Sequence, residues 1–143
     1  MLEGGWEQYE RNDTLRAIYE INAQLFGVFD LYGNRADRRW KLVALISNHF
    51  AKKGTTITAT TLNELVDGKF GRDQFHWDRC CQSELLWLRL DYTRKHSWNE
   101  SVFCELLSRR TQYLTIITSS NPLRHSLFEI NLLDCSGVIQ HEV

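Results

Sequence analysis

Little in this chain marks chemistry. There is one proline, Pro122, and no low-complexity segment or internal repeat. No apolar run exceeds a few residues, so no stretch is long enough to span a bilayer as a helix. The N-terminal Met1-Leu-Glu-Gly-Gly-Trp-Glu7 has neither the cationic region nor the apolar core of a signal peptide, and a cytoplasmic protein is expected. The four cysteines, Cys80, Cys81, Cys104 and Cys135, show no C-x-x-C spacing. In a reducing compartment they read as free thiols used for apolar packing. No Gly-rich phosphate loop is recognised, since Gly4-Gly5 and Gly68 to Gly71 match no such pattern. His76 and Cys80 stand four apart, a metal-pair spacing on a helix, but no third ligand is evident nearby. Nothing marks Cys104 or Cys135 as an activated nucleophile. A non-enzymatic protein without metal or cofactor is the expectation.

What is present is an ordinary globular composition. Apolar residues make up 43 % of 143 residues, with five Trp and seven Phe, which argues for a real core in one domain and against disorder. The net charge of −1 hides a division. Residues 1–30 carry two cations against six acids, residues 35–110 fourteen against nine, and residues 119–143 one against three. A basic middle between acidic ends suits a domain that meets a polyanion with its middle.

The expected layout is a loose lead-in over residues 1–13, a single domain over 14–133 and a tail over 134–143. Asp13 caps a first helix whose stripe of Ile18, Ile21, Leu25, Val28 and Tyr32 ends at Gly33-Asn34. A second helix runs from about Ala36 to Lys53 and stops at Gly54. Thr55 to Thr58 forms a short strand. Thr61-Leu-Asn-Glu64 is a capping box that opens a short helix ending near Gly68. Asp73 caps a long helix from Gln74 to about Tyr92, with Trp77, Cys81, Leu85, Leu88 and Tyr92 on one stripe. Ser97-Trp-Asn-Glu100 opens a further helix to about Arg110. Tyr113 to Ser119 and Leu127 to Leu133, on either side of the polar turn with Pro122, read as a β-hairpin. The fold class expected is therefore mainly α with a C-terminal β-hairpin, a winged helix-turn-helix.

That order of parts resembles the MarR-type winged-helix regulators. The likeness covers about residues 14–133 and includes the block from Ile57 to Leu65, Ile-Thr-Ala-Thr-Thr-Leu-Asn-Glu-Leu. Asn121-Pro-Leu-Arg124 stands where that family's wing carries Asp-x-Arg. The resemblance implies a dimeric, sequence-specific regulator of transcription that binds duplex DNA and is released by a small-molecule effector. Thr58, Thr60 and Thr61 would meet phosphate, and Arg72, Gln74, His76 and Arg79 would read bases from the 74–92 helix. Arg124 and His125 would form the wing tip. The 98–110 helix is the rival reader, with Asn99, Arg109 and Arg110. Ile18, Ile21, Leu25, Phe26 and Phe29 would make the homodimer face. The alternative is a non-enzymatic, protein-binding adaptor or inhibitor on the same scaffold, anchored by Trp6 and Trp98.

Overall fold

The computed structural model describes residues 21, 26–33, 36–90 and 99–135. Among the described residues five parallel strands form one sheet. The strands are β1 (Gly27–Tyr32), β2 (Ile57–Thr61), β3 (Leu85–Arg89), β4 (Leu114–Ser119) and β5 (Ile130–Asp134). Among the described residues four helices connect or flank them: α1 (Ala36–Ala51), α2 (Leu62–Lys69), α3 (Gln74–Gln82) and α4 (Glu100–Arg109). The spatial order is β2-β3-β4-β1-β5, so the chain crosses over β1 between β4 and β5. No helix among the described residues is long and apolar enough to cross a membrane.

Helices cover both faces, and the strand sequences show why. A parallel sheet buried on both sides needs apolar residues at successive positions, without alternation. β4 is buried at all six positions. Leu85 and Leu86 enter opposite clusters, as do Ile116 and Ile117, because side chains along a strand alternate between faces. On one face Phe29, Leu31, Leu85, Ile116 and Leu133 pack against Leu42, Val43, Ile46 and Phe50 of α1. On the other, Leu86, Leu88 and Ile117 pack against Leu62, Leu65, Trp77, Phe103, Leu106 and Leu107 of α2, α3 and α4.

Local signals set the helix starts. Thr61 caps α2 and accepts the Glu64 amide at 3.3 Å, and Asp73 caps α3 and accepts the His76 amide at 3.0 Å. Asn99 caps α4 through the Val102 amide at 3.1 Å. Between α2 and α3, Gly68 lies so close to the chain that an added Cβ would stand 2.8 Å from the Asp73 carbonyl oxygen. Gly71 completes that turn at φ +99°, a conformation that glycine adopts without strain.

The winged-helix architecture and its hairpin are not what forms. The two β-rich runs after residue 113 do not pair with each other; β4 and β5 lie parallel on opposite sides of β1. Their connection passes over the α4 face, where Leu123 and Phe128 join the cluster. The expected 74–92 helix stops at Gln82. Ser83 is extended there (φ −66°, ψ 138°), and its hydroxyl donates to the Arg79 carbonyl at 2.8 Å. Leu85 to Leu88 then runs as a strand, since an uninterrupted apolar run carries no period to separate a buried strand from a buried helix. The first helix does not reach Tyr32, because residues 27–32 are strand β1. Of its earlier part, residues 21 and 26 are described, Ile21 in helical conformation and Phe26 in a bend. The expected lead-in, the tail beyond Cys135, Trp6, Ser97 and Trp98 lie outside the described residues.

The thiol of Cys80 is fully buried on α3, and burial pushes its pKa from the ordinary 9.0 up to about 11. The unfolded thiol ionises first, so the neutral buried thiol contributes its full stability below pH 9. That contribution is lost as pH rises from 9 through 11. Between these limits the parent protein is expected to lose up to about 2 kcal/mol relative to Cys80→Ala, read from urea midpoints. Equal losses in the two proteins would refute the assignment.

Candidate functional site

In an open parallel sheet, ligands bind beyond the carboxyl ends of the strands, where neighbouring strands send their connections in opposite directions. Here that point lies between β1 and β4. The chain leaves β1 toward β2 at one edge and leaves β4 toward β5 at the other. The crevice is closed at its base by the Gly33 amide, which donates to the Ser119 carbonyl at 3.2 Å.

The strand–loop–helix unit from β1 into α1 is where phosphate-binding proteins carry G-x-x-x-x-G-K-[ST]. The glycine lets backbone approach phosphate, the lysine reaches it, and the hydroxyl holds Mg²⁺ together with an acidic residue. This chain reads Gly33-Asn-Arg-Ala-Asp-Arg38-Arg39-Trp40. Arg38 replaces the second glycine, and its Nε donates to the Cys135 carbonyl at 2.6 Å. Arg39 replaces the lysine; it is buried and turned back onto the Gly33 carbonyl. Trp40 replaces the hydroxyl.

Opposite Trp40, at the end of β3, stands Arg89. Its guanidinium lies 4.7 Å from the Trp40 ring centre and 5.4 Å from that of Trp87. The Trp87 indole N–H is fixed by Thr118 at 3.0 Å. A cation between two indole faces gains about 0.5–2 kcal/mol per face. Arg89 Nε makes no hydrogen bond among the described residues, so ring stacking is its main tie. Arg89 therefore sets a positive charge against residue 40. The nearest following acid, Asp91, lies outside the described residues.

On the α4 side of the same crevice the buried Asp30 carboxylate gathers the β4–β5 connection. It accepts from Ser119 Oγ at 2.8 and 3.0 Å and from the Leu123 amide at 2.7 Å. The site is thus built from buried cations tied to carbonyls, an aromatic–guanidinium stack and one buried acid. Sequence reasoning missed all of these. The readable signal was Gly33 after an apolar run with Arg38-Arg39 five and six residues on, which counts only once Gly27–Tyr32 is known to be a strand.

No protein-family model matches the sequence, and no curated protein sequence matches it either. Solved structures do. AMPPCP-bound DnaA from Aquifex aeolicus superposes with a TM-score of 0.57 at 13 % identity, covering 84 % of this chain and 44 % of that one. The replication initiator DnaA bound to AMPPCP and single-stranded DNA gives 0.56 at 11 %, covering 85 % and 44 %. The DnaC helicase loader gives 0.58 at 19 %, covering 82 % and 73 %. The fold is that of DnaA and DnaC. This chain spans less than half the length of those two DnaA chains.

The DnaA-like sheet overturns the resemblance to MarR-type regulators, because a five-stranded parallel sheet has neither a wing nor a tri-helical reader. The reading as a dimeric, duplex-DNA transcription regulator falls with it. The residues expected to read DNA are divided between two places. Around β2 and α3, Thr58 hydroxyl meets Ser83 at 2.5 Å, Thr60 is buried against His76 at 2.8 Å, and Thr61 is a helix cap. Arg72 pairs loosely with Asp67 at 3.8 Å, and Gln74 donates to Asp78 at 3.2 Å. Arg79 stacks on Phe75. Arg124 and His125 instead lie on the β4–β5 connection beside α4. Asn99 is a cap, Arg109 pairs with Glu105 at 3.5 Å, and Arg110 is buried in the interior. Of the residues expected to form a dimer face, Ile21 and Phe29 are buried in the α1-side core and Phe26 is exposed. Ile18 and Leu25 lie outside the described residues.

Two clusters raise the question of a metal. His76 Nε2 meets Cys80 Sγ at 3.5 Å, but its other neighbour is the Thr60 hydroxyl. Glu100, Cys104 and His125 offer three donor atoms within 4.8 Å of one another. The Leu127 amide donates to His125 Nδ1 at 3.0 Å, which puts the proton of a neutral ring on Nε2, facing Glu100. A metal on Nε2 requires the opposite tautomer, so the trio is satisfied as a hydrogen-bonded clasp between α4 and the β4–β5 connection.

Proposed function

We propose that this chain is a non-hydrolysing, protein-binding adaptor built on the DnaA/DnaC-type ATPase fold, working in the cytoplasm beside the replication machinery. One observation carries the reading: Trp40, in the place of a phosphate loop's metal-binding hydroxyl by sequence spacing, is stacked on the Arg89 guanidinium. An arginine there repels the cation, and Trp40 has no oxygen to ligate it. Arg38 and Arg39 are tied to carbonyls of the protein itself, so neither position offers the lysine or glycine that cradles phosphate. A fold whose own crevice is filled in this way keeps its surfaces for partners.

The test is a titration with Mg·ATP followed by tryptophan fluorescence, since two indoles line the crevice. No saturable change is expected up to about 1 mM ATP, a free energy of about −4 kcal/mol. No phosphate release is expected either. Saturation in the micromolar range, or turnover, would overturn the reading.

Nucleic acid is the second class of partner, supported by the DnaA neighbour that carries single-stranded DNA. A labelled single-stranded oligonucleotide titrated at two salt concentrations separates the classes, because phosphate contacts weaken steeply with salt and apolar protein contacts do not. A sizing column run alongside tests a homodimer.

A further inference from the structure

We propose that the open edge of β2, together with the groove between it and α3, takes up an extended, acidic–apolar segment of a partner protein by strand addition. The proposal rests on the adaptor reading and names the partner's chemistry. Among the described residues β2 pairs on one side only, with β3. The Thr56 carbonyl accepts the Leu85 amide at 2.9 Å, so Thr56, Thr58 and Thr60 turn their backbone groups toward β3. Alternation then turns the N–H and C=O of Ile57 and Ala59 outward. Natural edges are usually blocked by lysine, proline, a bulge or an inward charge. Ile57-Thr-Ala-Thr-Thr61 has none of these, and its exposed middle residue is the small Ala59.

Beside this edge runs a groove of about 350 Å³, whose lining includes Ile57, Thr58, Phe75, Asp78, Arg79 and Gln82. Phe75 is 73 % exposed, a large apolar ring left at the rim. Arg79 stacks on that ring at 5.4 Å and stands in no ion pair among the described residues. The neighbouring acids are engaged: Asp78 accepts from Gln74, and Glu84 accepts from the Thr56 amide and hydroxyl. The groove therefore offers main-chain hydrogen bonds along one wall, apolar surface at its rim and one pre-oriented cation. The complementary ligand is a strand with apolar residues alternating with a carboxylate.

The probes are two fluorescein-labelled octapeptides, one alternating valine with aspartate and one with lysine in place of aspartate. The aspartate peptide is expected to bind saturably, and the lysine peptide at least about tenfold more weakly. Arg79→Glu should invert that order. Ala59→Pro removes only an outward donor, so it should keep the parent's thermal melt and lose aspartate-peptide affinity by about tenfold or more. Hydrogen exchange at Ile57 and Ala59 should be fast in the free protein and slow with the peptide. Saturable binding by neither peptide would overturn the proposal, as would equal binding to Ala59→Pro. Outward amides already protected in the free protein would overturn it too, since the edge would then be covered by this chain or a second copy. Should Ala59→Pro fail to fold, the Arg79→Glu inversion and the exchange pattern still decide. The nucleotide titration concerns the crevice alone, so a protein that ignores both ATP and the peptides loses this edge and keeps the adaptor reading.

Discussion

Arg110→Ala is expected to destabilise the protein by about 3–5 kcal/mol, the scale of removing a buried charge from its partners. Arg110 is 2 % exposed and holds three chain segments at once. Its Nε donates to Thr115 Oγ1 at 2.8 Å. One terminal nitrogen donates to the Cys80 and Ser83 carbonyls, each at 2.7 Å, and the other to the Leu114 carbonyl at 2.7 Å. The Cys80 and Ser83 oxygens belong to the C-terminal turn and cap of α3, where the helix dipole favours a cation. Burial lowers the guanidinium pKa to about 10, which leaves it charged at neutral pH. Truncation leaves the Cys80 and Ser83 carbonyls without the guanidinium, and each unsatisfied group costs about 1–3 kcal/mol. Arg110→Lys keeps the charge but not the fork, and it should recover less than half of the loss. Urea unfolding measures both, with an expected midpoint shift of about 1.5–2 M for alanine. A midpoint within about 0.3 M of the parent would show that Arg110 does not join these segments.

Asp30→Ala is the second large effect, at about 3 kcal/mol. Asp30 is fully buried between β4 and β5, and it fastens Ser119 and Leu123 to the sheet. Its loss leaves the Leu123 amide without this acceptor at the mouth of the crevice, while the Ser119 hydroxyl keeps only the Asn121 carbonyl at 2.7 Å. The consequence is local as well as global. The β4–β5 connection carrying Leu123, Arg124 and His125 should open, and the Leu123 amide should exchange with solvent at least about tenfold faster. Asp30→Asn is nearly the same shape but presents donors to donors on one side, so about half of the loss is expected. Unchanged exchange at Leu123 in Asp30→Ala would show that other contacts hold the connection.

Much of the local structure was legible. Helix α1 followed from the stripe of Val43, Ile46 and Phe50, and the caps at Thr61 and Asp73 followed from their side-chain oxygens. Residues 114–119 were recognisable as a strand from β-branched residues. The errors share one cause. Strands buried on both faces lose the two-residue period, so Val28 and Tyr32 counted toward a helix, and Leu85 and Leu88 toward another. With β1 and β3 read as helices, the remaining β-rich runs had only each other to pair with, and a hairpin was the outcome. The resemblance to winged-helix regulators then followed from the hairpin.

Four of the middle cations are drawn inward for a related reason. The excess of arginines and lysines in the middle of the chain suggested one outward surface. Instead Arg38, Arg39 and Arg110 are buried on carbonyls, and Arg89 lies between two indoles. A formal charge in sequence carries no information on whether its side chain points outward.

By itself the sequence determined where short-range chemistry acts: the capped starts of helices and the glycine turns. These depend on residues within four positions of one another. Only the tertiary structure decided which segments lie side by side, and so brought Trp40 against Arg89 and Asp30 against Ser119 and Leu123. Those contacts join residues 49, 89 and 93 positions apart. They depend on the order of strands in a sheet, which the hydrogen bonding and burial of the whole chain select together.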